Sequence, residues 1–594
     1  MAKRQVFRVT DLSGGMNPDQ NPVLIADNEA AEVLNFRIDK MGSLKSREGS
    51  TPYYEGGPGE TILQLGRWSD GASNPSTQIL FTVGTVIYRR TAVDARVSIK
   101  TGVAPAAYSM FYPFQDVLVY TQNGAPLVYN GTGSFETLGI NAPTVAPSGS
   151  ISGAGLTGVF QYAYTGYQSS TGWESNPSPT FTTGTLANQG MQLTLNRHTH
   201  PNVDKLRIYR TNAGGGTLQF LTEINNPVAA TTTYTDNGPQ TLATIAIEFD
   251  NDPPPNLERV AYHKGYLFGS IGNTLYWSKP LRPNAWPFEN STEVPFESND
   301  TITAIKSFQD TLVIFGNLNT ILVAGDGGNW ALIRQDVEIG CVGQEAIAEV
   351  GSGLVFMSYQ GLRSFPGFDI LGVKLNRLLN EYSPTIRRQA LLSYVPEEYG
   401  LWLQIDNLTW VINLMNQALA RTSAQYSKFL PGGIDGRGAH LRVRGVDILQ
   451  YGGKTDPDSM QCIWRSKIYQ MSNPEMVKHI RRIGLFAVSG QGSGSLATMT
   501  LGDTKNYYTV SLESVDGGTD TTWDFIWYDP GPPPIGDSWA SEAAGYFIGS
   551  LPAQALLGRI LQITIEGDAD DSPFEVITPI SIEFRESDRF LGAP

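Results

Sequence analysis

The sequence predicts an all-β chain: a β-propeller of about six to eight blades, with one β-sandwich inserted between blades and a second sandwich after them. Three observations carry this. Sixty-three glycines, 36 prolines and 26 tyrosines, with only 17% charged residues, describe many short strands and tight turns rather than helices. A pattern of turn, short apolar strand, second turn and second strand recurs seven times, beginning at Thr77, Gln115, Lys264, Gln309, Gly351, Tyr399 and Arg444. Successive copies start 38 to 48 residues apart, the length of a blade, except for one gap of 149 between Gln115 and Lys264.

That gap defines a domain. Residues 142–246 read as a fibronectin- or immunoglobulin-like sandwich, and removing them restores the blade period. In "VFQYAYTGYQSSTGWESNPSP" Phe160, Tyr162 and Tyr164 alternate with period 2, the chain turns at Gly172, and Pro177 and Pro179 stop the strand. "DKLRIYRTNAGGGTLQFLTEI" forms a hairpin through Gly214, Gly215 and Gly216, and the stiff "FDNDPPPNLER" leads back to the blades. The expected divisions are an N-terminal segment 1–60, first blades 61–141, the insert 142–246, remaining blades 247–455 and a C-terminal sandwich 456–594 with an exposed loop at 528–538. Helix is expected in two places, "ADNEAAEVLNFRI" near the start and "KLNRLLNEYSPTIRRQALL" around 374–392; "DKMGSLKSREG" is expected to be a hairpin.

Charge and cysteine content narrow the function. Lys+Arg 42 against Asp+Glu 57 gives a net charge of −15, so no global positive field holds a phosphate backbone. Cys341 and Cys462 lie too far apart for a disulfide framework and read as two buried thiols of a chain folded in a reducing compartment. No apolar run approaches the length of a membrane span, and the basic start is not followed by an apolar stretch, so neither a span nor an export signal is expected.

Tests for chemistry return little. Asp326-Gly327-Gly328-Asn329-Trp330 looks like the Asp-box of glycan-cleaving propellers, but Ala324 stands where that motif has Ser or Thr and Asn329 where it has Thr; a plain turn is the reading. His198 and His200 in "HTHP" could ligate a metal only if a strand put both on one face, which period 2 allows, but no nearby Cys or carboxylate pattern completes the set, and a surface loop or sheet pair is the reading. "EGDADDSP" (566–573) has carboxylates without the spacing or closing Glu of a calcium loop. With no phosphate-cradling Gly-Lys motif, nucleophile elbow or Cys-x-x-Cys, no catalytic, metal or cofactor residue is assigned, and the chain is read as a non-enzyme. The densest basic group, Arg465, Lys467, Lys478, Arg481 and Arg482, reads as the charged face of a strand pair or, alternatively, as an interface to an acidic neighbouring subunit.

"DLSGGMNPDQNPVLIADNEAAEVLNFRIDKMGSLKSREGSTPY" resembles the opening of the tail tubular protein B family, the tail nozzle proteins of short-tailed bacteriophages. The resemblance continues in "ESNPSP" and "LRIYRT" of the insert, "GYLFGSIGNTLYWSKPLRPNAWP" and "LVFMSYQGLRSFPG" of the blades, and "WRSKIYQMSNPEMVKHIRRIGL" before the last sandwich. It touches most of the chain, and the order of the motifs carries it; this chain is shorter than the longest members. The resemblance implies a homo-hexameric ring at the distal end of the virion tail, around the DNA channel, beneath a head-to-tail adaptor ring, with tail fibres or spikes attached nearby. It implies passage of double-stranded DNA without stable binding, and synthesis in the host cytoplasm. On that reading Asp326 and Asn329, with the loop 528–538, are gate or channel candidates, and Arg465, Lys467, Arg481 and Arg482 are interface candidates. The competing expectation is a propeller that binds or cleaves glycans, for which the many aromatic residues would serve as stacking platforms.

Overall fold

The computed structural model describes the chain apart from residues 1–3, 40–41, 72–75, 244, 297–299, 336–337, 352, 433–439, 453–459, 472–476, 490–494, 503–506, 514–542, 551–556, 559–560, 569–573 and 588–594. Its described residues form two compact units, one of residues 1–62, 91–95 and 339–594, the other of 63–90 and 96–338.

Seven four-stranded arrays repeat along the sequence and give the chain its β-propeller architecture. Their strands span 62–101, 111–137, 259–293, 304–334, 347–371, 391–422 and, for the seventh, 428–451 together with Ser50–Tyr54. Each hairpin follows from its turn. His263 pairs with Tyr266 across Lys264-Gly265, Phe308 with Thr311 across Gln309-Asp310, and Ile405 with Leu408 across Asp406-Asn407. Lys264, Gln309 and Asp406 all take positive φ, the left-handed first position of a two-residue turn whose twist matches that of its strands.

The second strand of most blades is buried nearly end to end, as in Val117–Gln122, Tyr266–Ile271, Gly353–Ser358 and Gly400–Ile405. Burial on both faces follows from sheets stacked face to face. In the second unit, Leu80 and Ile87 pack with Leu118 and Phe135 between blades one and two. Val119 and Val128 meet Leu257, Leu267 and Trp286 between blades two and three, and Phe268 and Leu275 meet Ile305 and Ile314 between three and four. Blades two and three are therefore neighbours in space although the insert separates them in sequence.

The insert is a sandwich with its own core. One sheet is Ser148–Gly158, Leu186–Asn196 and Thr231–Asp236; the other is built on Gln161–Gln168, Lys205–Arg210 and Gln219–Asn225, with the short strands Trp173–Glu174 and Phe181–Thr182. Phe160, Tyr162, Tyr164, Leu193, Leu206 and Ile208 fill the space between them. The alternation expected of Phe160, Tyr162 and Tyr164 is the inward face of one strand, Gln161–Gln168, and of the residue just before it.

The N-terminal segment departs from expectation. Residues Glu29–Leu34 and Phe36–Ile38 are strands, not a helix. Ala, Glu and Leu favour helix, but the segment is captured between two partners: Leu34 runs parallel to Arg421 of blade six, and Ala30–Leu34 lie antiparallel to Ile463–Ser466. Tertiary pairing overrides local propensity. This strand joins blade six to the C-terminal strands in one ten-stranded sheet, while Arg4–Val9, Phe36–Ile38 and Leu44–Ser46 join Val477–Ser489 and Phe574–Ser587 in a seven-stranded one. The N-terminal segment and the C-terminal sandwich are thus one woven body. The hairpin expected in "DKMGSLKSREG" forms, Phe36–Ile38 against Leu44–Ser46, and so does the second helical stretch, as Val373–Glu381 and Pro384–Arg387, the latter capped by Ser383.

Candidate interface site

The basic candidates are divided between the two sheets of the woven body. Arg465 stands opposite Glu32 in the ten-stranded sheet, and its guanidinium meets the Glu32 carboxylate at 3.0 Å. Arg421 of blade six approaches the other oxygen of Glu32 at 2.9 Å, so one carboxylate bridges two arginines on three adjacent strands. Lys467 reaches Asp27 at 2.7 Å. Both of these acidic partners lie in the chain's own N-terminal segment. Arg481 and Arg482 lie on Val477–Ser489 in the other sheet, with Arg482 opposite Glu583 in register, and on the same strand Lys478 is buried and donates to the Gln470 carbonyl at 3.0 Å.

The same logic extends along the segment. Lys374 pairs with Glu29 at 2.7 Å and Arg377 with Asp19 at 2.6 Å. Burial works to raise the Glu29 carboxyl, but hydrogen bonds from Lys374, Asn17 and the Ala26 amide outweigh it and hold the group below the usual carboxylate range. Half-exposed pairs of this kind contribute little each, about 0–1 kcal/mol; their value lies in fixing register.

Asn35 is the joint of this site, and nothing in the sequence search singled it out. Fully buried and at φ 56°, it lets the chain pass from one sheet to the other. Its side-chain amide donates to the Ser423 hydroxyl at 3.0 Å and the Gln461 carbonyl at 2.8 Å, while its oxygen accepts from Arg47 at 3.0 Å and the Ser423 amide at 3.0 Å. A polar residue between the apolar runs "AAEVL" and "FRI" was the available signal. Beside it, Arg37 reaches Glu398 and the Tyr451 hydroxyl, and a pocket of about 470 Å³ opens between Phe36–Ile38 and residues 411–420. Its lining includes Phe36, Ile38 and Val411 together with Lys45, Glu397 and Glu575. The pocket is mixed in charge and partly apolar, the character of a protein contact rather than of a phosphate cradle.

The seventh blade is closed by Ser50–Tyr54 against Asp447–Tyr451, and a buried cation fixes that closure. Arg442 is wholly enclosed, hydrogen-bonds the Ser50 hydroxyl, and lies over the rings of Tyr451 at 4.5 Å and Tyr426 at 4.6 Å. Next to it the His440 ring, fully buried and 5.4 Å from that of Trp402, is held neutral to well below the usual imidazole range, first by burial and then by the Arg442 charge.

The remaining candidates resolve simply. Asp326 and Asn329 pair across Gly327-Gly328, at φ 59° and 91°, as an exposed two-residue turn between Thr320–Asp326 and Asn329–Arg334. Trp330 turns inward onto Tyr266 and Phe268, with ring centroids 5.3 and 5.1 Å away, so the Asp-box likeness is a hairpin tip anchored by a core tryptophan. The Nε2 atoms of His198 and His200 face the backbone carbonyls of Asn141 and Thr137. Among the described residues, no group of three or more His, Cys, Asp or Glu side chains stands placed to hold a metal ion, and no helix is long and apolar enough to cross a membrane. Cys341 and Cys462 are both buried thiols, their Sγ atoms set against the Gly343 and Asn35 carbonyls, and burial pushes the Cys341 thiol up to about 12. The loop 528–538 and most of 566–573 lie outside the described residues.

No protein-family model matches the chain, and no curated protein matches it. Among solved structures, the chain is similar to the WD40 domain of Pan2 from Neurospora crassa, at 7% identity and a TM-score of 0.25, over 71% of this chain and 98% of that one. It is also similar to KlHsv2 carrying a Gly-Ser linker in place of loop 6CD, at 9% identity and a TM-score of 0.22, over 61% of this chain and 97% of that one. Superposition at these scores is loose, and the propeller assignment rests on the seven repeated sheets and their face-to-face cores.

Proposed function

We propose that the chain is a structural, non-enzymatic subunit of a hexameric nozzle at the distal end of a short phage tail, surrounding the DNA channel, gating genome exit and helping to anchor tail fibres below an adaptor ring. The observation that supports it best is the fate of the basic stretch. Arg465 and Lys467 are engaged by Glu32 and Asp27 of the same chain, in a protein of net charge −15. Cations so engaged are poorly available to phosphates, and an acidic wall repels DNA weakly along its length, which lets a duplex slide without sticking. The charge-paired weave of both chain ends also suits a subunit that must hold its shape while a stiff polymer passes. Electron cryo-microscopy of the particle containing this chain, reconstructed without imposed symmetry, tests the reading: six copies around an axial channel are expected. Copies away from the axis, or release of reducing sugar from host polysaccharide by the purified chain, would overturn it in favour of glycan recognition.

A further inference from the structure

His198 and His200 sit where the inserted sandwich meets the stretch that leads into it from blade two. The Nε2 of His198 lies 2.9 Å from the Asn141 carbonyl, and the Nε2 of His200 lies 3.3 Å from the Thr137 carbonyl. The opposite nitrogens are also engaged: the Nδ1 of His198 accepts from the His200 amide at 3.1 Å, and the Nδ1 of His200 accepts from the Asn202 amide at 3.3 Å. Both rings are thus required to be neutral Nε2–H tautomers. Space for the first is made by Gly166, where a Cβ would meet the His198 ring at 2.6 Å. The ring centroids are 6.5 Å apart.

We propose that His198 and His200 form a pH-sensitive latch, which holds the inserted sandwich to blade two while both rings are neutral and frees that junction when they protonate. Protonation places an N–H on each Nδ1, facing another N–H, so the turn at 198–202 loses both of its acceptors, and the two rings become like charges. Burial, the larger influence, lowers both groups below their ordinary 6.5, against the opposing pull of the Asn141 and Thr137 carbonyls. No compensating carboxylate is engaged with either ring among the described residues. Asp204 is occupied by the Ser169 amide and hydroxyl, Glu136 precedes Thr137 on its strand, and the cations nearest in sequence, Arg197 and Lys205, donate to the Val228 carbonyl and to Asn225. Because the folded-state values lie below the unfolded one, the latch is fully closed above about pH 6.5 and weakens as pH falls below it. On the exit side the sandwich stays pinned, since Asn176 donates to Asp252 at 2.8 Å and accepts from the Asn251 amide at 2.7 Å. Opening the latch therefore leaves the sandwich held by these bonds and by Trp173, which packs against the core between blades two and three.

Amide hydrogen exchange of the full chain between pH 7.5 and 5.5, corrected for intrinsic rates, tests this. Protection at His200, Asn202 and the Leu138 amide, which donates to the Pro126 carbonyl, should fall about tenfold in the native sequence and stay level in the His198→Asn/His200→Asn variant, whose side-chain oxygens keep the Nδ1 acceptors without titrating. Unchanged protection in the native chain, or equal loss in the variant, overturns the proposal. If the variant does not fold, nuclear magnetic resonance of the native imidazoles decides: titration of both below 6.5 from the Nε2–H tautomer supports the latch, and titration at or above 6.5 refutes it.

Discussion

The inserted sandwich and the woven body at the two chain ends are built from similar strands but close in opposite ways. In the sandwich, partners come from nearby sequence: Tyr162 faces Arg210, and both bond to Asp236. In the weave, Asn35 bonds to Ser423 and Gln461, 388 and 426 residues away. Local closure makes a module that can be inserted between two blades without disturbing their mutual packing. Distant closure makes blade six, the N-terminal strands and the C-terminal strands depend on one another, at a larger cost in loop-closure entropy.

The sharpest break of this comparison is Asp236→Ala. It leaves Arg210, which pairs with Asp236 at 2.8 Å with both side chains fully enclosed, as an uncompensated buried charge, at a cost of about 3–5 kcal/mol. Thermal denaturation combined with limited proteolysis should find the sandwich lost and the weave resistant. Asn35→Ala should do the converse at about 2–4 kcal/mol, by stripping partners from Arg47, Ser423 and the Gln461 carbonyl. A protected fragment of about residues 63–338 is then expected, and simultaneous loss of the sandwich would show that the two regions are not independent.

A smaller difference lies in acid sensitivity. His263, on blade three, faces the Ser307 hydroxyl of blade four at 2.9 Å, and burial first, then the Lys264 charge, depress it to about 4. The folded state therefore favours the neutral ring, and its contribution is complete above about pH 6.5 and lost as pH falls from there towards 4. Fluorescence of Trp330, whose ring centroid is 6.0 Å from that of His263, should report an acid transition that is blunted in His263→Asn. At the low end, Asp326→Ala alters an exposed turn and should move stability by no more than about 0.5 kcal/mol, with assembly intact; a large loss would give the turn a role that its geometry does not require.

What the sequence disclosed follows the same division. Hairpins announce themselves through two-residue turns at fixed spacing, so the blades and the insert were legible, as was the helix at Val373–Glu381 from its amphipathic "KLNRLLN". The strand Glu29–Leu34 was not, because Ala, Glu and Leu favour helix and the partners that make it a strand lie near Arg421 and Arg465. The candidate interface suffered likewise: a run of basic residues shows its charge but not its counter-charge, and Glu32 and Asp27 are more than 400 residues from Arg465 and Lys467. Asn35 looked like an ordinary polar residue because its meaning lies in three strands that meet only after folding.

The strand that closes blade seven also sets a timetable for synthesis. Ser50–Tyr54 leaves the ribosome about 400 residues before its partner Asp447–Tyr451, which at 5–20 residues per second is an interval of roughly 20–80 s. Throughout that interval the earliest-made strands stand without the neighbours they are cut to fit, an open edge that other chains can join. Crowding nascent copies on one messenger would turn this wait into a hazard, and slow, well-spaced translation or an escorting chaperone would turn it back into an orderly late step.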